Sequence, residues 1–241
     1  EYTKCDNPTG LIGDPYVGKK YGEIWGYKVD GLFRNNKEAA EYASRIDLST
    51  VASGYYTATG AYGKGVRGGD IKYLDLNGDN IVNGGKGTLD DPGDRRVIGN
   101  SSPRYQYGAS LNFSWYGFDV SVFMQGIGRL DWYPGADNLR FWGPYCRPYA
   151  TFVPKNFMSQ VWSEENPDAY FPRARAYTSL NSNSGTAYYT NDRYLQNLAY
   201  CRLKNLTIGY TIPRRLTSKV GIKECRIYFS GENLATWSAL K

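Results

Sequence analysis

The sequence contains no histidine. This absence excludes Ser-His-Asp and Cys-His catalysis and every metal site that needs an imidazole ligand. The four cysteines, at positions 5, 146, 201 and 225, have no CxxC spacing, which argues against a zinc site or a thioredoxin-like redox site. No uninterrupted apolar run approaches the ~18 residues that a membrane-spanning helix needs. The lack of a long apolar run does not exclude membrane-spanning β-strands, because their apolar residues alternate with polar ones.

Clustered charge is also missing. The 29 basic and 23 acidic residues give a formal net charge of +6 that is spread along the chain, without a block of five or more Lys and Arg. We therefore expect no nucleic-acid partner. The chain begins at Glu1 rather than Met and ends directly after strand-like residues, so we expect an N-terminus made by processing or fragmentation and a C-terminus cut within a domain.

Tyrosine and glycine are abundant, with 23 Tyr and 28 Gly. Such a composition favours β-structure with long ordered loops. Apolar and polar residues alternate without a break over 105–115, Tyr116-Gly117 can turn the chain, and a second alternating run follows from Phe118. A second pair of alternating runs covers 201–212 and 225–230, with a short polar turn at 213–221, and strand-like residues continue to 237. Each pair predicts a β-hairpin.

The remaining sequence predicts long connections. Only 36–46 has a helical pattern, with three alanines beside two glutamates. We therefore divide the chain into a loop region at 1–103, a hairpin at 104–127, a long loop at 128–191 and a second hairpin, truncated at the C-terminus, at 192–241. Short turns at one side and long loops at the other are typical of an outer-membrane β-barrel. The predicted fold class is all-β, with about four antiparallel strands of a large barrel and long irregular extracellular loops. The alternative is a soluble β-sandwich, although such folds seldom contain connections this long without regular structure.

Eight segments, in order along nearly the whole chain, resemble the SusC/RagA family of TonB-dependent outer-membrane transporters from Bacteroidetes-type bacteria. The most characteristic contain GYKVDGLF, GDIKYLDLNGD and DRRVIGN; the segments are 22–33, 69–79, 94–100, 103–108, 117–126, 162–173, 203–210 and 230–234. Each is weak alone, but eight in the family's order form a specific signal.

The resemblance implies a barrel of about 22 strands around a plug domain, of which this chain would be a piece from the C-terminal third. It also implies location in the outer membrane of a Gram-negative bacterium, contact with outer-membrane lipid, and import of glycans or oligopeptides. A SusD-like surface lipoprotein would deliver the cargo, and TonB would act through a plug region that this chain lacks. No enzymatic activity is expected. The rival interpretation is a soluble secreted glycan-binding β-domain.

Residues 75–83 have the pattern of a calcium-binding loop. Side-chain oxygens of Asp75, Asn77, Asp79 and Asn83 occupy ligand positions 1, 3, 5 and 9, and the Ile81 carbonyl occupies position 7. Position 12 should be acidic but is Lys86, and the acidic role would pass to Asp94, at position 20, after an apparent eight-residue insertion. Ca²⁺ is therefore the one candidate cofactor, and the alternative is a turn closed by Asx hydrogen bonds.

Aromatic residues cluster after the second predicted strand and form a candidate site for stacking on sugar rings or holding a peptide. The members proposed for cargo binding are Trp132, Tyr133, Phe141, Trp142 and Tyr145. The alternative is that these rings pack a core within the loop or contact a partner protein. Cys5 and Cys146 lie in loop sequence and can pair in an oxidising compartment.

Overall fold

The computed structural model describes residues 1–57, 65–147, 149, 151, 153–175, 185 and 187–240. The chain forms two compact units. Unit 1 comprises Glu1–Asn100 and Trp132–Leu195, and unit 2 comprises Ser101–Asp131 and Gln196–Lys241. Among the described residues, no helix has the length and apolar character needed to cross a membrane.

The elements are, in chain order, β1 (Glu23–Gly26), β2 (Val29–Leu32), α1 (Asn36–Ala43), α2 (Ser53–Thr57), β3 (Ile71–Tyr73), β4 (Arg96–Asn100), β5 (Arg104–Trp115), β6 (Phe118–Arg129), β7 (Asp131–Trp132), α3 (Leu139–Trp142), β8 (Gln196–Asn197), β9 (Tyr200–Thr211), α4 (Arg214–Thr217) and β10 (Arg226–Ser238). Short 3₁₀ turns cover Gly143–Tyr145, Phe157–Gln160 and Ser218–Val220. Strands β7 and β8 are at the points where the chain passes from one unit to the other.

Helix α1 confirms the one helix that the sequence predicts. The Asn35 side chain accepts a hydrogen bond from the Glu38 backbone N–H, and the Glu38 carboxylate accepts one from the Arg34 N–H. The first bond satisfies a backbone donor that the first helical turn leaves without a partner, and the second fixes the residue before the cap against that turn. The helix ends at Ala43, three residues before the predicted end at Ile46.

Unit 1 is built around an aromatic-rich core. The largest fully buried side chains are Trp142, Tyr55, Tyr73, Tyr194 and Phe33. The regions predicted as two irregular loops, 1–103 and 128–191, both contribute to this core. Their described residues pair in short two-stranded sheets, such as β1 with β4 and β2 with β3, and in isolated bridges. Unit 1 is therefore a folded body, although its core residues follow no regular period in sequence.

Unit 2 contains a four-stranded antiparallel sheet with the order β10-β9-β6-β5. Strands adjacent in this sheet follow one another along the chain, as in an up-and-down barrel. The β5–β6 connection is the predicted two-residue turn, with positive φ at Tyr116 (47°) and Gly117 (86°). Two positive φ angles define the type I′ turn, whose twist matches the twist of a hairpin.

The register places all long connections at one end of this sheet. Arg104 at the start of β5 is opposite Arg129 at the end of β6, and Ile127 is opposite Tyr200 at the start of β9. The segments that form unit 1 join the sheet strands at this end only. At the other end, Trp115 is opposite Phe118, and Thr211 is opposite Arg226, so this end contains only the two short turns.

Candidate functional site

One face of the sheet in unit 2 is almost wholly apolar. Residues opposite one another in the register share a face, and five rows of such residues cross the four strands. The rows are Trp115/Phe118/Tyr210/Ile227, Phe113/Val120/Ile208/Phe229, Leu111/Val122/Leu206/Gly231, Ala109/Met124/Leu203/Ala235 and Tyr107/Gly126/Cys201/Trp237. Many of these side chains are exposed, Leu111 by 66% and Ile227 by 65%. We call these five rows the apolar face.

The apolar face has the dimensions of a membrane-embedded surface. Its outer rows are separated by eight residues of β5, which is roughly 27 Å at ~3.4 Å per residue. With a strand tilt of about 40° this becomes roughly 21 Å of height, close to the ~25 Å apolar band of membrane barrels. Aromatic residues concentrate in the two outer rows, as Trp115, Phe118 and Tyr210 at one end and Tyr107 and Trp237 at the other. This is the arrangement of aromatic residues at two membrane interfaces.

The opposite face of the sheet is predominantly polar and contains an ion pair that crosses a strand. Arg226 on β10 donates to both carboxylate oxygens of Asp119 on β6, from Nε at 3.0 Å and from Nη2 at 2.5 Å. Gly209 on β9 lies between them, and a Cβ there would approach the guanidinium and the carboxylate to 2.6 Å. Glycine at this position therefore provides the space in which the two side chains meet.

The candidate calcium loop lies in unit 1 and is closed by hydrogen bonds. Asp75 accepts from the Gly78 and Asn80 N–H groups at 2.7 and 2.9 Å. Asn77 and Asp79 each accept from the N–H two residues further on, at 3.1 and 2.8 Å. These are Asx turns, which bring side-chain oxygens from positions 1, 3 and 5 around one short loop.

Asp94 closes the same loop from a distance in sequence. It is fully buried, and its carboxylate accepts from the N–H groups of Leu76 at 2.7 Å and Asn83 at 2.9 Å. Asp94 is thus brought to the loop as the sequence argument requires, but its oxygens accept backbone N–H groups. Among the described residues, no group of three or more His, Cys, Asp or Glu side chains is placed to hold a metal ion. Calcium binding by Asp75, Asn77, Asp79, the Ile81 carbonyl, Asn83 and Asp94 therefore stays a prediction.

The inserted segment between Asn83 and Asp94 is held by Arg95. The guanidinium Nη2 donates to the Gly84 carbonyl at 2.8 Å. A Cβ at Gly84 would lie 3.0 Å from the guanidinium Nε, and one at Gly87 would lie 2.9 Å from Nη2. The two glycines therefore let the arginine side chain lie against the inserted turn.

The structure corrects part of the aromatic cargo site. Trp142 is fully buried and Tyr145 is 2% exposed, and both belong to the core of unit 1. The Trp142 indole donates to the Gly135 carbonyl at 3.0 Å, and the Tyr145 hydroxyl donates to the Pro172 carbonyl at 2.5 Å. These two rings offer no free face to a ligand, because the neighbouring rings of the same unit cover them.

The other three proposed cargo residues differ in exposure. Phe141 is half-buried and packs edge-on against Trp142 with ring centroids 4.8 Å apart. Tyr133 is also half-buried and donates to the Tyr189 carbonyl at 3.0 Å. Trp132 is 37% exposed. Cargo binding by these three side chains stays a prediction, with Trp132 the most accessible.

All four cysteines are free thiols, so the pairing that the sequence allows between Cys5 and Cys146 is not formed. Cys146 lies in the core of unit 1, and burial raises the pKa of its thiol. A buried thiol with a raised pKa is a weak nucleophile.

Sequence reasoning missed a buried ion pair in unit 1. Arg175 Nη1 lies 2.7 Å from Asp70 Oδ2, and the two side chains are 3% and 0% exposed. The guanidinium also lies over the Tyr55 ring, 3.9 Å from its centroid. Burial raises the pKa of the Asp70 carboxyl to about 6, against the opposing effect of Arg175. No local signal could have found this pair, because its members are 105 residues apart in sequence.

The curated relatives that match this chain include several TonB-dependent receptors. No protein-family model matches the chain. TonB-dependent receptor P26 of Formosa agariphila is 29% identical over 170 residues, which is 70% of this chain and 15% of the relative. TonB-dependent receptor P3 of the same organism is 25% identical over 221 residues, which is 92% of this chain and 18% of the relative. The chain therefore spans less than a fifth of the length of these two relatives.

Solved structures show the same fold. The RagAB peptide transporter matches with a TM-score of 0.53 at 17% identity, over 96% of this chain and 20% of that one. The RagAB peptide importer in its open-open state matches with a TM-score of 0.52 at 16% identity, over 98% of this chain and 20% of that one. Both the sheet and unit 1 fall within the matched region. The curated relatives of this chain are thus TonB-dependent receptors, and its fold is that of a part of the RagAB transporter, in agreement with the predicted resemblance to the SusC/RagA family.

Proposed function

We propose that this chain forms part of the wall and one large extracellular body of an outer-membrane importer. The observation that supports this most strongly is the apolar face, because its exposed side chains would be costly in water and suit a lipid environment. In the described part of the chain, the outer edges of β5 and β10 have no strand partner. Open edges are untenable in lipid, so other strands of the same receptor would continue the sheet into a closed barrel.

The orientation follows from the connections. In membrane barrels the short turns face the periplasm and the long connections face the outside. We therefore place the Tyr116-Gly117 turn and the 213–221 turn in the periplasm, and unit 1 outside the cell. The apolar face would contact lipid, and the face with the Asp119–Arg226 pair would line the lumen.

The partners and cargo are proposed from the family. A SusD-like lipoprotein would deliver glycans or oligopeptides, and TonB would drive opening through a plug region elsewhere in the receptor. A peptide is the cargo named for the RagAB transporter. For this receptor both cargo classes remain part of the proposal, with exposed Trp132 the aromatic contact we favour.

Cysteine labelling in intact cells tests the topology. Lys86 in unit 1 and Ser218 in the 213–221 turn are both exposed. Each is changed to cysteine in a full-length receptor whose native cysteines are replaced. We expect a membrane-impermeant maleimide to label Lys86→Cys in intact cells and to label Ser218→Cys only after the outer membrane is permeabilised. Equal labelling of both in intact cells would contradict the proposed topology.

Growth of a deletion strain tests the cargo. Cells without the receptor are supplied with oligosaccharides or oligopeptides as the growth-limiting nutrient. Loss of growth on one class, restored by the intact gene, identifies that class as cargo. Normal growth on every oligosaccharide and oligopeptide that the parent strain uses would argue against an import role.

A further inference from the structure

The β9–β10 turn of unit 2 has a composition unlike that of an ordinary polar turn. Three apolar side chains are exposed within seven residues, Leu216 by 59%, Val220 by 71% and Ile222 by 46%. Four basic side chains accompany them, at Arg214, Arg215, Lys219 and Lys223, and Glu224 is the single acidic residue in 213–225. In the described part of the chain, none of these four basic side chains forms an ion pair.

The turn is an ordered, hydrogen-bonded structure. Helix α4 runs directly into the 3₁₀ turn Ser218–Val220, and the Leu216 N–H donates to the Pro213 carbonyl at 2.9 Å. Gly221, with φ of 74°, reverses the chain, and the Ile222 N–H donates to the Thr217 carbonyl at 3.1 Å. Thr217 is the one buried residue of the turn.

The helical spacing separates the two kinds of side chain. Leu216 and Val220 are four residues apart, as are Arg215 and Lys219, and residues with this spacing share a face of a helical turn. The turn thus presents an apolar stripe beside a basic stripe. This pairing is characteristic of segments that lie in a membrane interface, where apolar side chains enter the acyl boundary and basic ones stay with the headgroups.

The position of the turn along the sheet fits the depth of the lipid headgroups. Tyr210 belongs to the outer row of the apolar face at the short-turn end, and Pro213 follows three residues later. Three residues of a tilted strand add roughly 8 Å of height. Each headgroup layer adds roughly 5–7 Å beyond the hydrocarbon. Long side chains from the turn therefore reach headgroups, and Tyr116 of the neighbouring turn, 85% exposed, lies at the same end of the sheet.

We propose that the 213–225 turn is a binding surface for anionic phospholipid, and that it holds this end of the sheet against the periplasmic leaflet. The inference rests on the proposed function, because it requires the apolar face to lie in a membrane. The four basic side chains select a negatively charged headgroup, and the apolar stripe contacts the upper acyl chain. Arg226, directly after the turn, is excluded from the set because Asp119 already binds it.

Binding of anionic phospholipid can be measured from the lipid that the purified receptor retains. The full-length receptor is purified in mild detergent, incubated with equimolar phosphatidylglycerol and phosphatidylethanolamine, and repurified. Its retained lipids are then counted by mass spectrometry. An anionic surface attracts each nearby basic residue by about 1 kcal/mol, or about fivefold in association. We expect phosphatidylglycerol to be enriched about fivefold or more over phosphatidylethanolamine.

The lipid ratio is compared between two variants that remove the same charge, and a third variant removes the apolar side chains. The variant R214Q/R215Q/K219Q/K223Q is expected to lose most of the enrichment. The control K86Q/R140Q/R147Q/K155Q removes the same charge from exposed positions of unit 1 and is expected to keep it. The variant L216S/V220S is expected to retain less of both lipids. An unchanged lipid ratio in the quadruple turn variant would overturn the inference.

Insertion into membranes distinguishes a failure of the proposed function from a failure of the inference alone. Folded barrels migrate anomalously on gels until they are heated, so insertion of each variant into vesicles is scored by that shift. A wild-type receptor that never inserts would contradict the proposed function and the inference together. A receptor that inserts normally but shows no turn-dependent preference would overturn only the inference.

Discussion

Replacing Arg175 with methionine tests the importance of the buried ion pair in unit 1. The change removes the 2.7 Å contact to Asp70 and the 3.1 Å bond from Arg175 Nη1 to the Gly65 carbonyl. Asp70 would keep the Arg67 N–H at 2.7 Å but would lose its counter-charge. Breaking one partner of a buried pair typically costs about 3–5 kcal/mol, since an uncompensated charge stays in the interior.

The cost should depend on pH with a defined sign. The pKa of Asp70 is already raised, from an ordinary value of 3.8 to about 6, and Arg175 is the largest influence that lowers it. Without Arg175 the folded-state pKa rises further, so the folded protein binds more protons than the unfolded protein above pH ~4. Stability is therefore lost as pH rises through this window. We expect R175M to be more destabilised at pH 7 than at pH 5.

Hydrogen exchange measured by mass spectrometry on the full-length receptor provides the assay, because it reports opening of unit 1 separately from the sheet. The control K37M breaks an exposed pair with Glu41, 3.9 Å apart, and should cost less than about 0.5 kcal/mol. The double variant D70N/R175M removes both charges and should recover part of the loss. A loss below about 1 kcal/mol for R175M, or a larger loss at pH 5 than at pH 7, would refute the reasoning.

Three further predictions concern the sheet, the core and the loop. G209A should destabilise the sheet by about 1–3 kcal/mol by displacing the Asp119–Arg226 ion pair, and so lower the temperature at which the folded gel mobility is lost. The control G13A, whose Cβ meets nothing within 4 Å, should leave that temperature unchanged. W142A should destabilise unit 1 by about 3–5 kcal/mol, measured as faster hydrogen exchange. The control Y149A, at a 77% exposed position, should leave the exchange rate almost unchanged. Loss of cargo affinity in W142A without destabilisation would instead show that Trp142 contacts the cargo. If the 75–94 loop holds calcium, terbium luminescence should saturate with the receptor and fall in D79N, and an unchanged signal would leave Asx turns as the whole role of the loop.

The sheet could be predicted closely because alternation is a local property. Each of its strands presents one side chain in two to the same face, so the period of two appears directly in the sequence. The predicted Tyr116-Gly117 turn is found, and β5 and β9 each lie within a residue or two of their predicted extents. Strand β10 ends at Ser238, one residue after the end of the predicted strand-like run at 237. The calcium-type loop was also recognisable, because its oxygens come from alternate positions of one short segment.

The core of unit 1 could not be predicted in the same way. Its largest rings, among them Tyr55, Trp142 and Tyr194, come from segments with no regular apolar period. Aromatic residues beside polar ones have the same local pattern whether they bind a ligand or pack a core, so Trp142 and Tyr145 were assigned to cargo binding. Their hydrogen bonds to backbone carbonyls become visible only once distant segments meet.

The sequence by itself determined the strand faces, the short turns and the family resemblance, because each depends on residues close together in the chain or on segments in a fixed order. Only the tertiary structure decided which charges and rings are buried. The Asp70–Arg175 pair and the strand-crossing Asp119–Arg226 pair join residues about a hundred positions apart. Burial and pairing depend on such distant contacts, so the chain had to fold before they existed.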